Sequence, residues 1–190
     1  MTESFDRALA FVLAHEGGLS DDPDDPGGIT NLGISLRFLK GLPGLAGDID
    51  HDGDVDADDI RALTPETAAK FYYDRFWEPC NCHNLAWPVS LVMFDSAVNC
   101  GPGRAKRWLQ GAINTCTFQT GHGPQIEIDG RIGPRTMRAY TYYEPRQIAG
   151  AMLGMRLSFY HFLIIEHPKL KKYIHGWENR VRDCHEEARR

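Results

Sequence analysis

Two groups of oxygen-bearing side chains stand out by type and spacing. The first begins at Glu16 and runs through EGGLSDDPDDPGGITNLGIS. A carboxyl group anchored where a rigid helix ends, with its head toward a cleft, is partly desolvated, and that favours the protonated form a general acid needs. Hydrolysis of a glycosidic bond employs two carboxyl groups, one protonating the leaving oxygen and one activating water or attacking the sugar. Asp25, nine residues on, is the best-placed partner for Glu16, with Asp22 and Asp24 as competitors. Thr30 and Asn31 can position water or sugar hydroxyls, while Gly17, Gly18, Gly27, Gly28 and Gly33 permit sharp turns and leave a bulky polymer room at the backbone.

The second group is Asp48 to Asp59, with seven aspartates in twelve residues. Asp48, Asp50, Asp52, Asp56 and Asp59 occupy positions 1, 3, 5, 9 and 12 of an EF-hand-like loop, Asp54 offers a backbone carbonyl, and Gly53 stands sixth, where the chain must turn sharply. So many carboxylates repel one another without a cation. The pattern predicts structural Ca²⁺, with Mg²⁺ less able to use this many ligands. The twelfth residue is aspartate, one methylene shorter than the usual glutamate, and the loop resembles those of dockerins and related non-signalling modules. Apolar residues on both sides (Phe38, Leu39, Leu42, Ile60, Leu63) suit a staple rather than a switch, so chelator is expected to lower the melting temperature.

Five cysteines (Cys80, Cys82, Cys100, Cys116, Cys184) are odd in number and lack framework spacing, so reduced, partly buried thiols are expected. Cys80, Cys82 and His83 have zinc-ligand chemistry, but C-x-C-H is tighter than the usual C-x₂₋₄-C pair. Charge is divided along the chain. Residues 1–103 carry 6 Lys/Arg against 18 Asp/Glu, a net of −12, whereas residues 104–190 carry 15 against 8, a net of +7. The front is suited to cation binding or carboxylate chemistry, and the back to an anionic polymer such as nucleic acid, lipid headgroup or cell wall.

The elements that must position these groups are helices. Thr2 caps a first helix with an apolar face of Phe5, Ala8, Leu9, Val12 and Leu13, leaving His15 and Glu16 at its end before Gly17-Gly18. Residues 19–33 read as a structured loop or short hairpin. Thr64-Pro65 opens a helix that Pro79 closes; Val89 to Cys100 and Arg104 to Asn114 are helical; Pro134 starts another; Pro145 opens a long one to about Ile165; Pro168 separates it from a last helix through Trp177. With 190 residues, 42% of them apolar, the chain buries one sizeable core or two small ones. No run of 18 uncharged apolar residues is present, and the acidic start lacks the basic region of a signal peptide, so cytoplasmic synthesis is expected.

The string HEGGLSDDPDDPGGITNLGIS resembles the signature of the glycoside hydrolase family 108 lysozymes, which carry a similar HEGG, DP-x-DPGG and TN-x-GI; LTPETAAKFYYDRFWEP is similar to a second block of that family. The resemblance implies a mainly α, lysozyme-like helical fold with an irregular catalytic loop. By that likeness Glu16 is the catalytic acid of a muramidase, supported by Asp25 and Thr30 much as in phage T4-type lysozymes. Four residues separate Asp25 from Thr30 here, against five in that type. The strings FDSAVNCGPGRAKRWLQ, DGRIGPRT, RLSFY and GWENR resemble the peptidoglycan-binding region that follows in the family. Arg131 and Arg135 would then face an anionic glycan or its peptide carboxylates, and Asn99, Asp95 and Trp108 either line a groove or pack helices. The resemblance thus divides the chain into a catalytic region, residues 1–98, and a peptidoglycan-binding region, residues 99–190; no linker separates them, so one compact body is expected. It implies a monomeric endolysin of phage or prophage type, held in the host cytoplasm until a holin or secretion route releases it to the wall, with no nucleic acid or membrane-inserted partner. The acidic loop is not part of the family pattern. Two rivals remain: a calcium-stabilised wall-binding module without catalysis, and a zinc amidase or peptidase, which lacks H-E-x-x-H.

Overall fold

A computed structural model describes residues 2–21 and 28–190; Asp25, with its competitors Asp22 and Asp24, lies outside the described residues. The described chain is mainly α with one two-stranded hairpin. It divides into two compact units, Leu9–Tyr73 and the combination of Met1–Ala8 with Asp74–Arg190. Helix α1 (Glu3–Glu16) contributes to both. Its first turn is closed by Thr2, whose Oγ1 accepts from the Phe5 amide at 3.4 Å, and Gly17 ends it in the left-handed region at φ +80°.

In the Leu9–Tyr73 unit, β1 (Thr30–Asn31) and β2 (Ile34–Ser35) pair antiparallel, with Asn31 opposite Ile34. Only Leu32 and Gly33 lie between them, both at positive φ (50° and 75°), the backbone of a two-residue turn whose twist matches that of the strands. Helix α2 (Leu36–Lys40) follows at once, its N-cap Ser35 accepting from Phe38 N at 3.2 Å. Helix α3 (Ala57–Ala62) leaves the acidic loop, and α4 (Pro65–Tyr72) begins behind Thr64, which accepts from Thr67 N at 3.2 Å. Leu9, Val12, Ile34, Leu39, Leu42, Ile60, Leu63, Ala68 and Tyr72 are buried. A π-helical stretch, Tyr73–Trp77, continues α4.

The other unit is built around α5 (Val89–Cys100), in which every residue from Val89 to Ala97 is buried. An apolar helix without a polar face has to be covered on all sides. Helices α6 (Pro102–Thr120) and α8 (Pro145–Glu166) pack on α5 and on each other, and α9 (Ile174–Glu187) packs on α8. A short α7 (Pro134–Tyr140) lies against α6. Phe5, Trp77 and Phe94 meet edge to face at 5.2–5.7 Å between centroids, a geometry that adds about 0.5–1.5 kcal/mol per pair to the area buried.

Two helices run further than expected. Cys116 and Thr117 stay buried and carry the core face of α6 past Asn114, while threonine hydroxyls return to the helix's own carbonyls (Thr115 to Gly111, 2.9 Å; Thr120 to Cys116, 2.8 Å). Helix α9 keeps Val181 and Cys184 buried, and Ala188 just beyond its end, within a highly charged sequence. Helix α8 is long and apolar enough by length and composition to cross a membrane, with mean hydropathy 1.5 over its richest stretch. It nevertheless carries Arg156, fully buried and ion-paired to Asp95 of α5, which marks it as a core helix of this unit.

Candidate active site and its surroundings

Glu16 is the last residue of α1 and is half-buried. Its neighbour His15 is tied back to the helix, Nδ1 lying 2.9 Å from the Phe11 carbonyl and its ring 4.4 Å from that of Phe11. What holds the Glu16 stem is the hairpin turn. A Cβ placed on Gly33 would stand 2.7 Å from Glu16 Cβ and 2.9 Å from Glu16 Cγ, and would also run into the Tyr72 hydroxyl. Glycine is therefore required twice at this position, for its positive φ and for close approach. Tyr72, buried on α4, donates from its hydroxyl to the Leu32 carbonyl at 3.0 Å and so fixes the tip of the turn beside Glu16.

Thr30 sits at the base of the same hairpin. Its backbone exchanges two 2.8 Å hydrogen bonds with Ser20, and its hydroxyl donates to the Gly28 carbonyl at 3.2 Å. With its single proton committed, that hydroxyl faces any further partner as an acceptor, such as for a water O–H. Asn31 donates from Nδ2 to the Ile60 carbonyl at 3.1 Å, which ties β1 to α3. On the other side of residues 22–27, Asp21 pairs with Arg61 of α3 at 3.1 Å. Helix α3 thus holds a residue on each flank of the segment that contains Asp25. Tyr72 belongs to the helix that Thr64-Pro65 opens, and spacing could not reveal its place beside the turn, because it meets Leu32 across forty residues of chain.

The acidic loop folds as a closed turn. Asp48 Oδ2 accepts from Gly53 N at 3.1 Å, across a Gly53 with φ +105°, and Asp50 and Asp52 each accept from the amide two residues on (3.3 and 3.1 Å). Asp56 is the N-cap of α3 and forms a reciprocal capping box with Asp59. Asp59 is almost completely buried, and its two oxygens accept from Ile49 N (2.5 Å), Asp50 N (3.4 Å) and Asp56 N (2.7 Å). Burial pushes its carboxyl up, but these amides outweigh that and hold it below the ordinary range. The carboxyl of Asp50 is raised by desolvation and by Asp52, and that of Asp54 chiefly by Asp52. Oxygens of Asp48, Asp50 and Asp52 lie within 4.8 Å of one another, as do those of Asp54, Asp56 and Asp59.

In the basic half, buried Gln110 on α6 organises the loop before α7. Its Nε2 donates to Asp129 Oδ1 (2.8 Å) and the Arg131 carbonyl (3.1 Å), and its Oε1 accepts from Gly130 N (2.7 Å). Asn114 makes a reciprocal pair with the Ile126 backbone at 2.8 and 2.9 Å. The Gln110 bond comes first among the causes that hold the Asp129 carboxyl below its usual range. Arg131 and Arg135 do come together here, in a cleft of about 220 Å³ that they line with Gln110, Glu127, Asp129 and Thr136.

Asn99 is exposed at the end of α5, and its Oδ1 accepts from the Tyr160 hydroxyl and from Cys100 Sγ. Asp95 is a core residue rather than part of a groove. It is fully buried, bonded through Oδ2 to Arg156 and through Oδ1 to Arg180 (2.8 Å). Desolvation acts to raise its carboxyl, but the two guanidinium groups prevail and hold it low. Trp108 packs edge to face on Phe159 at 5.6 Å. The zinc reading of Cys80, Cys82 and His83 finds no constellation among the described residues: both thiols are buried, that of Cys80 is pushed up to about 11 by burial, and His83 Nδ1 lies 3.4 Å from Glu78.

The first helix of this mainly helical protein thus ends in a carboxyl group held against a β-hairpin turn. Residues 9–101 match the family Glycosyl hydrolase 108 and residues 104–182 the family Predicted Peptidoglycan domain, so the chain joins a region belonging to glycosyl hydrolase 108 to a peptidoglycan domain. It is a peptidoglycan hydrolase of lysozyme type, and Glu16, Thr30, Asn31 and the acidic loop all fall inside the first match. Among solved structures it is similar to that of Brucella abortus SagA, with a TM-score of 0.72 and 26% identity over 97% of this chain and 92% of that one. A comparison with curated proteins finds no match.

Proposed function

We propose that this hydrolase is a muramidase, cleaving the β-1,4 bond between N-acetylmuramic acid and N-acetylglucosamine, with Glu16 as general acid. The observation that carries the reading is the clamp on the Glu16 stem: a helix terminus, a glycine turn and the Tyr72 hydroxyl fix one carboxyl group inside the glycosyl hydrolase 108 region. The Glu16 proton passes to the bridging oxygen as the glycosidic bond breaks, and a water adds to the anomeric carbon of the oxocarbenium-like sugar. Thr30, able to accept from that water, orients it, and Asp25 takes up its proton. Arg131 and Arg135 in the cleft before α7 hold the anionic parts of the polymer, Arg presenting paired N–H groups to carboxylates. The enzyme acts as a monomer of endolysin type, reaching the wall after release from the cytoplasm.

The bond cut is tested by digesting purified peptidoglycan and assaying the products. New reducing ends with no new free amino groups support a glycosidase. Free amino groups without reducing ends would assign the chain to the amidases or peptidases instead, and a muramic acid at the new reducing end separates a muramidase from a glucosaminidase.

A further inference from the structure

The acidic loop is not used by the chemistry above. A cluster of aspartates alone says little about a ligand, since exposed carboxylates repel and hydrate. One atom here is different. Asp48 is only 9% exposed, and its Oδ1 is shielded from solvent with no hydrogen-bond donor, while Oδ2 is occupied by Gly53 N–H. A buried carboxylate oxygen without a donor is costly, and a carboxyl so placed needs a positive partner. A carboxylate oxygen of Asp48 lies within 4.8 Å of one from exposed Asp50 and one from exposed Asp52. The donor set is all oxygen and all anionic, which suits a hard divalent ion.

We infer that residues 48–59 form a site for a single Ca²⁺ ion, with Asp48, Asp50 and Asp52 as its side-chain ligands and Asp59 as a brace instead of the bidentate twelfth ligand. Asp59 is diverted because its shorter side chain spends both oxygens on three backbone amides. Asp56 is likewise engaged in capping α3. Water and main-chain oxygens complete the shell. Fewer protein ligands mean weaker binding than in a calcium sensor, in the range of extracellular modules, a Kd of about 10⁻⁴–10⁻³ M. Mg²⁺, which sheds water reluctantly and demands strict octahedral geometry, binds less well. The ion sits on the loop that leads into α3, and α3 holds Asn31 through Ile60 and Asp21 through Arg61. Occupancy therefore stabilises the Leu9–Tyr73 unit.

The test is a titration of the chelator-stripped full chain with CaCl₂ or MgCl₂, read by calorimetry and by melting temperature, for the parent, Asp48→Asn and Asp52→Asn. One Ca²⁺ per chain is expected, at least about tenfold tighter than Mg²⁺, with a rise of at least about 3 °C in 10 mM Ca²⁺. Each variant loses about tenfold or more in affinity. Asp52 is exposed and asparagine keeps an oxygen to accept from Asp54 N, so the melting temperature of its metal-free form should match the parent's and its loss of affinity reports on binding. No binding by the parent up to 10 mM, or unchanged affinity in both variants, overturns the assignment. Neither readout uses catalysis, so the outcome stands apart from that of the muramidase reading.

Discussion

At the residue scale the decisive feature is a position without a side chain. Gly33 combines a left-handed backbone with contact to Glu16 and Tyr72, so Gly33→Ala must strain the turn and push on the acid's stem. The left-handed conformation alone costs a non-glycine residue about 1–2 kcal/mol. The substitution is expected to lower kcat by at least about tenfold, since small displacements at a reacting group are expensive, while the circular dichroism spectrum keeps its helical content. Tyr72→Phe removes the hydrogen bond to Leu32 and should cost about 0.5–1.5 kcal/mol in a denaturant titration. The place of Glu16 at the end of the first helix was legible in sequence because a helix stripe, a terminal glutamate and two glycines are adjacent in the chain. Its clamp was not, because Tyr72 reaches the turn only through tertiary packing.

At the element scale, the helices follow the rules that sequence obeys: Thr2, Ser35, Asp56 and Thr64 cap them, and Pro65, Pro102, Pro134 and Pro145 stand in first turns. Pattern fell short where side-chain bonds or long-range contacts decide. Helix α6 runs past Asn114 because Cys116 and Thr117 continue its buried face, and α9 persists through charges because Val181 and Cys184 are buried. The loop at 126–131 carries no periodic signal. Its shape comes from Gln110 and Asn114 on α6, which satisfy its backbone groups one by one. Gln110→Leu leaves Gly130 N–H and the Arg131 carbonyl without that partner. A loss of about 1–3 kcal/mol in chemical denaturation is expected, together with weaker sedimentation of the chain with insoluble peptidoglycan, because Arg131 and Arg135 lose their spacing.

At the scale of the whole molecule, charge is arranged by depth as well as along the chain. The buried Asp95 bridges Arg156 of α8 and Arg180 of α9, so one carboxylate joins three helices. A carboxyl held below its ordinary value contributes stability that is complete above that value, about 4, and is lost as the pH falls through the depressed one. The helical unit should therefore keep its melting temperature from neutral pH down to about 5 and lose it steeply below about 4. Asp95→Asn should remove about 3–5 kcal/mol at neutral pH, since it leaves two buried guanidinium groups without their counter-ion. The opposed charges of the two halves are visible in composition: one holds the cluster of aspartates at 48–59, and the other holds a buried ion network at Arg156 and Arg180 and a cleft where Arg131 and Arg135 stand beside Glu127 and Asp129. The most direct measurement is muropeptide release from purified peptidoglycan by the parent and by Glu16→Gln, alongside sedimentation of each with the intact polymer. The account expects Glu16→Gln to sediment and melt like the parent while its release of reducing ends falls by about 10²–10⁴-fold. A variant that digests the polymer at the parental rate would show that Glu16 is not the proton donor.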